Sequence, residues 1–337
     1  MSTIRKIPSF SDLKPSRKIS RPAPSRLKQP ADNNPGRLSL PKVDFTHTVD
    51  QDHIANLMSA THNCLMNTTG PIEFGPFLLR SRLGAGGYGV TFKAIDMRDG
   101  KESVVKVPLR FEEDNFRALI EEGQKALVSG SLDGQVVTVK GIGDVNGVPY
   151  IAMEYIDGFD LSALLELNGD FLPLKRSLEI VIGLCDAVEH CHSLGVFHRD
   201  IKPSNIMIGN DGRVVLIDPG LSAVGNDATG FAGTPLYFSP EQSRGEQLTP
   251  RSEIFTVGVI LFEILTGEHP FGAYTHSALM QNIQSNEPDF SLLPQKTREQ
   301  KQLFYVIRRA LAKDPKRRPA SAAELRSQLA IILAKLP

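Results

Sequence analysis

The chain has 337 residues, of which 41% are hydrophobic and 23% charged, and its 38 Lys and Arg residues balance 38 Asp and Glu residues. This length excludes a mini-protein and corresponds to about two average domains, or to one large two-lobed domain with an appendage. The three cysteines, at positions 64, 185 and 191, are too scattered for a disulfide framework, so we expect a reducing compartment.

The sequence contains no candidate for a membrane span. Its longest apolar run, 254–265, is interrupted by Glu263 and is much shorter than the roughly 20 residues that a spanning helix requires. The first ten residues, MSTIRKIPSF, lack the apolar stretch of a secretory signal. We therefore expect a cytoplasmic protein without membrane contact, and non-classical export stays open.

Residues 1–42 form a basic arm rich in proline and serine. They hold ten Lys and Arg residues against two acidic ones, a net charge of +8, so the remainder of the chain carries −8. Such a segment cannot repay the entropy of ordering, so residues 1–45 are expected to be disordered. The arm is interpreted as a solubilising tail, as a contact for an anionic partner or for the acidic domain, or as a phosphorylation substrate at Ser20 or Ser39.

The apolar residues of the next segment, 46–73, fall near helical spacing. This pattern predicts a short amphipathic helix that packs on the domain that follows, together with a linker. The residues that carry the pattern are Ile54, Leu57, Met58, Leu65 and Met66.

From about residue 74 the pattern predicts two strands, PFLLRSRLG and VTFKAI, joined by the glycine-rich turn AGGYG. Gly84, Gly86 and Gly89 match G-x-G-x-x-G. A dinucleotide site would need a helix directly after these glycines, whereas strand residues follow here. The hairpin is therefore interpreted as a flap whose backbone N–H groups cover phosphates, with a plain glycine-rich hairpin as the alternative.

The next strand, in SVVKVP, places Lys106 among β-branched residues. A lysine in such a strand is costly to bury unless its ammonium finds an anion. The predicted helix over 112–128 offers Glu121 and Glu122 as partners.

Four later segments complete the pattern. They read FHRDIKPSN over 197–205, IDPG over 217–220, GTPLYFSPEQ over 233–242 and KDPKRRP over 313–319. Together with the glycine hairpin and the strand lysine, they resemble the eukaryotic-type (Hanks-type) serine/threonine protein kinase family over residues 74–334. The run VILFEILTGEHPF is similar to the bacterial branch of that family.

The resemblance implies an α+β fold of two lobes, a small and mainly β N-lobe over 74–153 and a larger, mainly α C-lobe over 158–334. It also implies transfer of the γ-phosphoryl group of Mg-ATP to Ser and Thr hydroxyls of protein substrates. Autophosphorylation is implied as well, with Mn²⁺ as an alternative metal. No nucleic acid is expected as a partner. Phosphoryl transfer requires charge neutralisation, metal positioning and an in-line nucleophile.

The resemblance assigns the nucleotide phosphates and the metal to four residues. Lys106 would hold the α and β phosphates, braced by Glu122, which fits the family register better than Glu121. Asp218 would chelate Mg²⁺ and Asn205 would hold the second metal, because hard cations prefer oxygen ligands.

The resemblance assigns the acceptor side of the reaction to three more residues. Asp200 would accept the proton of the substrate hydroxyl, Lys202 would reach the γ-phosphate and Thr234 would brace this loop. The Lys–Thr pair is the serine/threonine signature of the family. His198 is assigned no chemistry.

The resemblance also implies an adenine-binding slot, with apolar side chains above and below the flat base and backbone groups at its edge. Met153 would gate the deeper cavity, and Tyr155 is interpreted either as part of the strap or as a core aromatic. Thr91 and Val104 replace the valine and alanine that the family favours. The nucleotide-binding residues implied are Leu83, Gly84, Gly86, Gly89, Thr91, Val104, Lys106, Met153, Glu154, Ile156 and Met207.

Several positions depart from the family or suggest regulation. Pro219 replaces the phenylalanine of D-F-G, and Glu253 stands where the family has an aspartate that accepts backbone N–H groups of the catalytic loop. Arg199, directly before Asp200, is typical of kinases that await a phosphate on the following segment, with Ser222 or Thr229 as the acceptor.

Two alternatives to an active protein kinase stay open. Pro219 and Glu253 favour a pseudokinase that binds nucleotide or a partner and acts as a scaffold or allosteric regulator. A small-molecule kinase is disfavoured, because such enzymes lack a segment like GTPLYFSPE. The resemblance further implies an ion pair between Glu241 and Arg318 that closes the large lobe.

Overall fold

We describe a computed structural model of the chain. It describes residues 38–39, 51–67, 70–85, 89–110, 112, 119, 134–218, 223–224 and 233–336. Seven residues singled out above lie outside this part of the chain: Ser20, Gly86, Glu121, Glu122, Pro219, Ser222 and Thr229, and so does most of the predicted helix over 112–128. Most of the arm over 1–45 lies outside it as well, so these predictions remain predictions.

The N-lobe is built on a seven-stranded sheet in the order β1-β2-β3-β4-β5-β7-β6. All neighbours pair antiparallel except β1 and β2, which are parallel. Three further strands form a small sheet in the order β11-β10-β8, and β9 pairs with β12. The strands are β1 (Leu38–Ser39), β2 (Ile72–Phe74), β3 (Phe77–Ala85), β4 (Gly89–Asp96), β5 (Glu102–Pro108), β6 (Val139–Val145), β7 (Val148–Glu154), β8 (Gly158–Asp160), β9 (Val196–Phe197), β10 (Ile206–Gly209), β11 (Val214–Leu216) and β12 (Ala223–Val224).

The strand β1 differs from the expectation for the arm. Leu38 pairs with Ile72 and Ser39 pairs with Glu73 in a parallel ladder. These two residues, which lie in the segment expected to be disordered, therefore extend the sheet at its edge.

Alternating burial explains why the N-lobe strands form. From Val90 onward every second residue of β4 is buried, as expected for a strand with one face on a core. The β6–β7 hairpin turns through Asn146 and Gly147, whose positive φ angles of 53° and 79° suit a tight two-residue turn. Beneath the sheet, the rings of Phe74 and Phe77 meet Tyr150 edge-on.

Helix α1 lies in the segment where the sequence predicts a short helix. Its Leu65 is 1% exposed and belongs to the same core as the N-lobe strands, and Met58 and Met66 pack on that core. The helices are α1 (Gln51–Asn67), α2 (Leu161–Asn168), α3 (Leu174–Ser193), α4 (Pro240–Ser243), α5 (Pro250–Thr266), α6 (His276–Ser285), α7 (Arg298–Ala310) and α8 (Ala322–Leu333).

The C-lobe is organised around α5, which is buried along nearly its whole length. Proline at the first helical position and a capping box between Thr249 and Ser252 start this helix, and Gly267, with φ of 74°, ends it. The apolar run 254–265 of the sequence lies within this helix and forms part of the core of the large lobe. The two-lobed α+β fold class is confirmed.

Among the helices that the structure describes, none has both the length and the apolar character needed to cross a membrane.

Candidate active site

A cavity of about 560 Å³ lies where the N-lobe strands face β8 and β10. Its lining includes most of the residues that the sequence assigned to nucleotide binding. The assigned residues on its wall are Leu83, Gly84, Gly89, Thr91, Val104, Lys106, Met153, Glu154, Tyr155, Ile156, Lys202, Asn205, Met207 and Asp218.

The inner part of this cavity is apolar. Met153 and Ile156 are buried in a cluster with Val215, and Val104 of the seven-stranded sheet and Met207 of the three-stranded sheet both pack against that cluster. This arrangement provides two apolar surfaces for a flat ring. Leu83, on β3, is half exposed at the mouth.

The strap that follows β7 is fixed by polar contacts outside the cavity. Glu154 Oε1 accepts the backbone N–H of Thr138 at 2.9 Å, and its backbone N–H donates to the Thr138 carbonyl at 2.9 Å. The Lys93 ammonium lies 3.8 Å from the centre of the Tyr155 ring and forms an ion pair with Glu102 at 2.6 Å. Tyr155 thus forms part of the cavity wall with a cation on its ring face.

Lys106 and Asp218 form an ion pair across the cavity, with Nζ and Oδ1 2.5 Å apart. The lysine side chain is 8% exposed and the aspartate 41%, so the buried ammonium has the anionic partner that its strand position requires. Gly89 makes room for this lysine, since a Cβ at Gly89 would lie 2.9 Å from Lys106 Cε. Asp218 has a φ of 60°, an uncommon conformation for a residue other than glycine.

Asp200 lies beside the cavity at the centre of a hydrogen-bond network. Its Oδ1 accepts the backbone N–H and the hydroxyl of Thr234 at 2.8 and 2.7 Å. Its Oδ2 lies 2.7 Å from the Lys202 ammonium and accepts from Asn205 Nδ2 at 3.2 Å. Lys202 also donates to the Thr234 hydroxyl at 2.9 Å. The three residues assigned to the acceptor side are therefore in direct contact.

This network favours the anionic form of Asp200. Burial opposes ionisation, but hydrogen bonds from Lys202 and Thr234 outweigh it and hold the pKa of the Asp200 carboxyl below its ordinary value. Asp200 is therefore a carboxylate at neutral pH.

Asn205 is oriented by Asp200. Its Nδ2 donates both to the Asp200 carbonyl at 2.8 Å and to the carboxylate, which leaves the amide oxygen Oδ1 as the atom able to act as a ligand. The backbone N–H of Ile217, next to Asp218, donates to the Asn205 carbonyl at 2.9 Å. His198, 1% exposed, donates from Nε2 to the Ile217 carbonyl at 3.0 Å. His198 thus has a structural contact, in line with its lack of assigned chemistry.

The donor set fits a hard cation that completes its coordination with phosphate oxygens. Asp218 and Asn205 offer carboxylate and amide oxygens on one cavity wall. Among the described residues, no group of three or more His, Cys, Asp or Glu side chains forms a ready metal cage. Magnesium is commonly held by one or two protein oxygens together with substrate phosphates, so this set fits Mg²⁺.

Glu253 supports the loop that carries Asp200. Its Oε1 accepts the backbone N–H of Arg199 at 2.8 Å, and its Oε2 lies 2.7 Å from His192 Nε2. Burial raises the pKa of the Glu253 carboxyl, but the hydrogen bond from His192 outweighs this effect, and the pKa lies below its ordinary value. The longer side chain therefore reaches the catalytic loop, as an aspartate would in the family pattern, and also binds a histidine.

The expected ion pair of the large lobe is present. Arg318, whose side chain is fully buried, lies 2.9 Å from Glu241 and donates to the carbonyls of Ala312, Arg251 and Lys313 at 2.7, 2.9 and 2.9 Å. The pair fixes the segment after Thr234 to the end of the lobe.

Gly233 meets the catalytic loop closely. A Cβ at this glycine would lie 2.4 Å from the Arg199 carbonyl, and its φ of 120° also disfavours other residues. Gln242 donates to the same carbonyl at 2.9 Å.

The sequence analysis missed part of the cavity wall. Asp160 is the clearest case, because its carboxylate lines the cavity and also caps α2 by accepting the Ala163 N–H at 3.0 Å. The sequence D-L-S-A over 160–163 indicates a helix N-cap at Asp160 but carries no signal that this residue also lines a cavity. The other wall residues not assigned from the sequence are Ala85, Val137, Gly158, Phe159, Ser204 and Ile217.

A β-rich lobe and a helical lobe that share such a cavity define the protein kinase class. The protein kinase domain family matches residues 77–329. Because this match spans well over half of the chain, the chain belongs to the protein kinase family.

The relatives compared with this chain are bacterial kinases. The chain is 35% identical over 274 residues to a probable serine/threonine-protein kinase of Streptomyces coelicolor, with 76% of this chain and 39% of the relative covered. It is 36% identical over 270 residues to serine/threonine-protein kinase PknB of Mycolicibacterium smegmatis, with coverage of 73% and 41%. It is 35% identical over 271 residues to PknB of Mycobacterium tuberculosis, with 73% of this chain and 41% of the relative covered. The chain thus spans about two fifths of the length of these curated relatives.

Proposed function

We propose that this protein is an ATP-dependent serine/threonine protein kinase that transfers the γ-phosphoryl group of Mg-ATP to Ser and Thr hydroxyls of protein substrates. The observation that carries the proposal is the position of two Lys–Asp pairs at one cavity. Lys106 pairs with Asp218 on its inner wall, and Lys202 pairs with Asp200 beside it. The serine/threonine specificity is supported by the bonded trio of Asp200, Lys202 and Thr234.

The apolar inner cavity would bind the adenine ring, and Lys106 would neutralise the phosphates. Asp218 and the Oδ1 of Asn205 would hold Mg²⁺, or Mn²⁺ in its place. When bound, the metal would neutralise phosphate charge and orient the γ-phosphoryl group.

Asp200 would accept the proton of the acceptor hydroxyl. Four donor contacts already engage its two oxygens, about as many as a carboxylate can accept. An incoming hydroxyl must therefore displace one of them, and the contact from Asn205, at 3.2 Å, is the longest of the four. Lys202 contacts Asp200 and also lines the cavity, so its ammonium would be able to contact the γ-phosphoryl group during transfer.

Purified full-length protein would be incubated with γ-labelled ATP, MgCl₂ and a generic basic protein, beside Asp200→Ala and the control Asp289→Ala. Asp289 is an exposed C-lobe residue remote in sequence from the site. We expect label transfer by the parent and the control and its loss, by about 1,000-fold or more, in Asp200→Ala. Equal transfer by Asp200→Ala would remove this residue from its role. Nucleotide binding without any transfer would favour the regulatory alternative.

We also propose a cytoplasmic location. All three cysteines are free thiols, and Cys185 and Cys191 are buried. Burial raises the pKa of the Cys191 thiol to about 12, so this group stays protonated and unreactive. These features support a reducing compartment.

The basic arm is proposed to contact an anionic partner or the acidic domain. The arm has a net charge of +8 and the rest of the chain has a net charge of −8, and these opposite charges support either contact. Deleting residues 1–36, which keeps β1 in the sheet, and comparing kcat and KM at low and high salt would test it. A change in KM that disappears at high salt is expected, and identical values at all salt concentrations would contradict it.

A further inference from the structure

Helix α1 (Gln51–Asn67) precedes the residues that match the kinase family, yet one of its faces is buried on the N-lobe sheet. Met58, Thr61, His62 and Leu65 recur at helical spacing on this face. Thr61 is fully buried, His62 is 6% exposed and Leu65 is 1% exposed. Two polar residues at the centre of an otherwise apolar face need specific partners, because an unsatisfied buried polar group is costly.

One partner is the β6–β7 hairpin. Asn146 Nδ2 donates to the Thr61 hydroxyl at 3.2 Å. Met58 fills the space over Gly147, where a Cβ would lie 2.6 Å from Met58 Cγ. The helix therefore fits the shape of this turn.

The other partner is the strand that carries Lys106. His62 Nε2 lies 3.1 Å from the backbone carbonyl of Pro108. A carbonyl only accepts, so the imidazole donates from Nε2.

Pro108 is the last residue of β5, two residues after Lys106. On the β7 side, the pairing of β5 stops at Lys106 with Ile151. Proline has no N–H with which to extend a ladder. Among the described residues, α1 rather than a strand therefore contacts the end of β5 on that side, whereas on the other side Gly89 of β4 pairs with Pro108.

We propose that His62 is a positioning residue for Lys106. By binding the Pro108 carbonyl it fixes the end of β5, and with it the direction in which the lysine ammonium enters the cavity. The proposal deepens the proposed function and rests on the role of Lys106 in binding nucleotide. It gives a segment outside the family match a part in nucleotide affinity.

The test compares three variants of the full-length chain at this position. His62→Phe keeps a ring but cannot donate, His62→Ala removes the ring, and His62→Gln places an amide donor at a similar reach. The matched control is Asn63→Ala, an exposed neighbour on the same helix. Calorimetry would give the Kd for Mg-ATP, steady-state kinetics would give KM and kcat, and hydrogen exchange would follow the amides of β5.

We expect His62→Phe and His62→Ala to raise the Kd and KM for ATP by about three- to tenfold, the range expected for one lost hydrogen bond. Exchange of the β5 amides should become faster in both. His62→Gln should stay within about twofold of the parent, as should Asn63→Ala.

Three outcomes would overturn the proposal. Phe and Ala variants that lose thermal stability but keep the parent Kd and KM would reduce His62 to a structural contact. A Gln variant as weak as the Phe variant would remove the hydrogen bond as the cause. A parent that binds no nucleotide overturns this proposal and the proposed function together, whereas a parent that binds nucleotide without transfer overturns the proposed function alone. Should His62→Ala fail to fold, the Phe and Gln variants still decide the question.

Discussion

Replacing Glu253 by alanine would show whether one buried carboxylate holds the catalytic loop. The Glu253 and His192 side chains are each 5% exposed, and the carboxylate also accepts the Arg199 N–H. Glu253→Ala leaves both donors buried without this acceptor, and each such loss costs about 1–3 kcal/mol. We therefore expect the free energy of unfolding to fall by about 2–6 kcal/mol, the sum of the two losses.

Urea denaturation at neutral pH would measure this loss, and thermal unfolding should show a Tm lower by on the order of 10 °C for a domain of this size. Because Arg199 directly precedes Asp200, kcat should fall as well. Glu253→Asp, whose shorter side chain can reach only one of the two donors, should lose about half as much free energy. The exposed acid Glu246, 3.4 Å from Arg244, provides the control Glu246→Ala, with an expected change below about 0.5 kcal/mol.

A loss below about 1 kcal/mol in Glu253→Ala would show that water replaces the carboxylate, as would purely additive effects of Glu253→Ala and His192→Ala in a double-mutant cycle. The pH dependence adds a second check. The pKa of the folded Glu253 carboxyl lies below its ordinary 4.5, so its contribution is complete above pH 4.5 and is lost as the pH falls through the folded pKa.

Three further predictions use other contacts. Lys106→Met removes the partner of the partly exposed Asp218, so we expect little loss of stability but a fall in phosphoryl transfer of about 100-fold or more, measured with labelled ATP. Arg318→Met leaves Glu241 buried without its cation and should lower the free energy of unfolding by about 3–5 kcal/mol in urea; a value below about 1 kcal/mol would contradict this. Burial lowers the pKa of His269 from 6.5 to about 4. Between these two pH values the unfolded chain binds more protons than the folded chain, so the free energy of unfolding decreases as the pH is lowered. The parent should lose about 2 kcal/mol between pH 7.5 and 5, and His269→Gln should not show that loss.

The local pattern of the sequence predicts the strands and helices that surround the site. Alternating burial along β4 and the apolar run of α5 follow directly from periodicity, because each element buries one face or is enclosed on all sides. The parallel pairing of Leu38 with Ile72 does not follow, since two residues carry no periodic signal and their partner lies far along the chain.

The same limit applies to the site. Lys106, Asp200 and Asp218 could be assigned from ordered motifs; the structure places Lys106 and Asp218 on the wall of one cavity, and Asp200 beside it in contact with Lys202. The contacts of His62 with Pro108 and of His192 with Glu253 could not be predicted, because they join residues 46 and 61 positions apart that no motif links. Such contacts depend on how elements pack, which only the folded chain determines.

The paired charges of the site explain how it can exist before nucleotide binds. Lys106 and Lys202 are both partly or largely buried, and each already has an aspartate as its partner, so neither ammonium is left without an anion. A triphosphate would offer both lysines new anionic partners. Asp218 would then be released to act as an oxygen ligand, and Asp200 would lose one of its four donor contacts, which helps the acceptor hydroxyl to reach the carboxylate. The exchange keeps every charge paired at each stage, and for that reason the strand end at Pro108 matters: the ammonium of Lys106 must change partner without leaving the cavity.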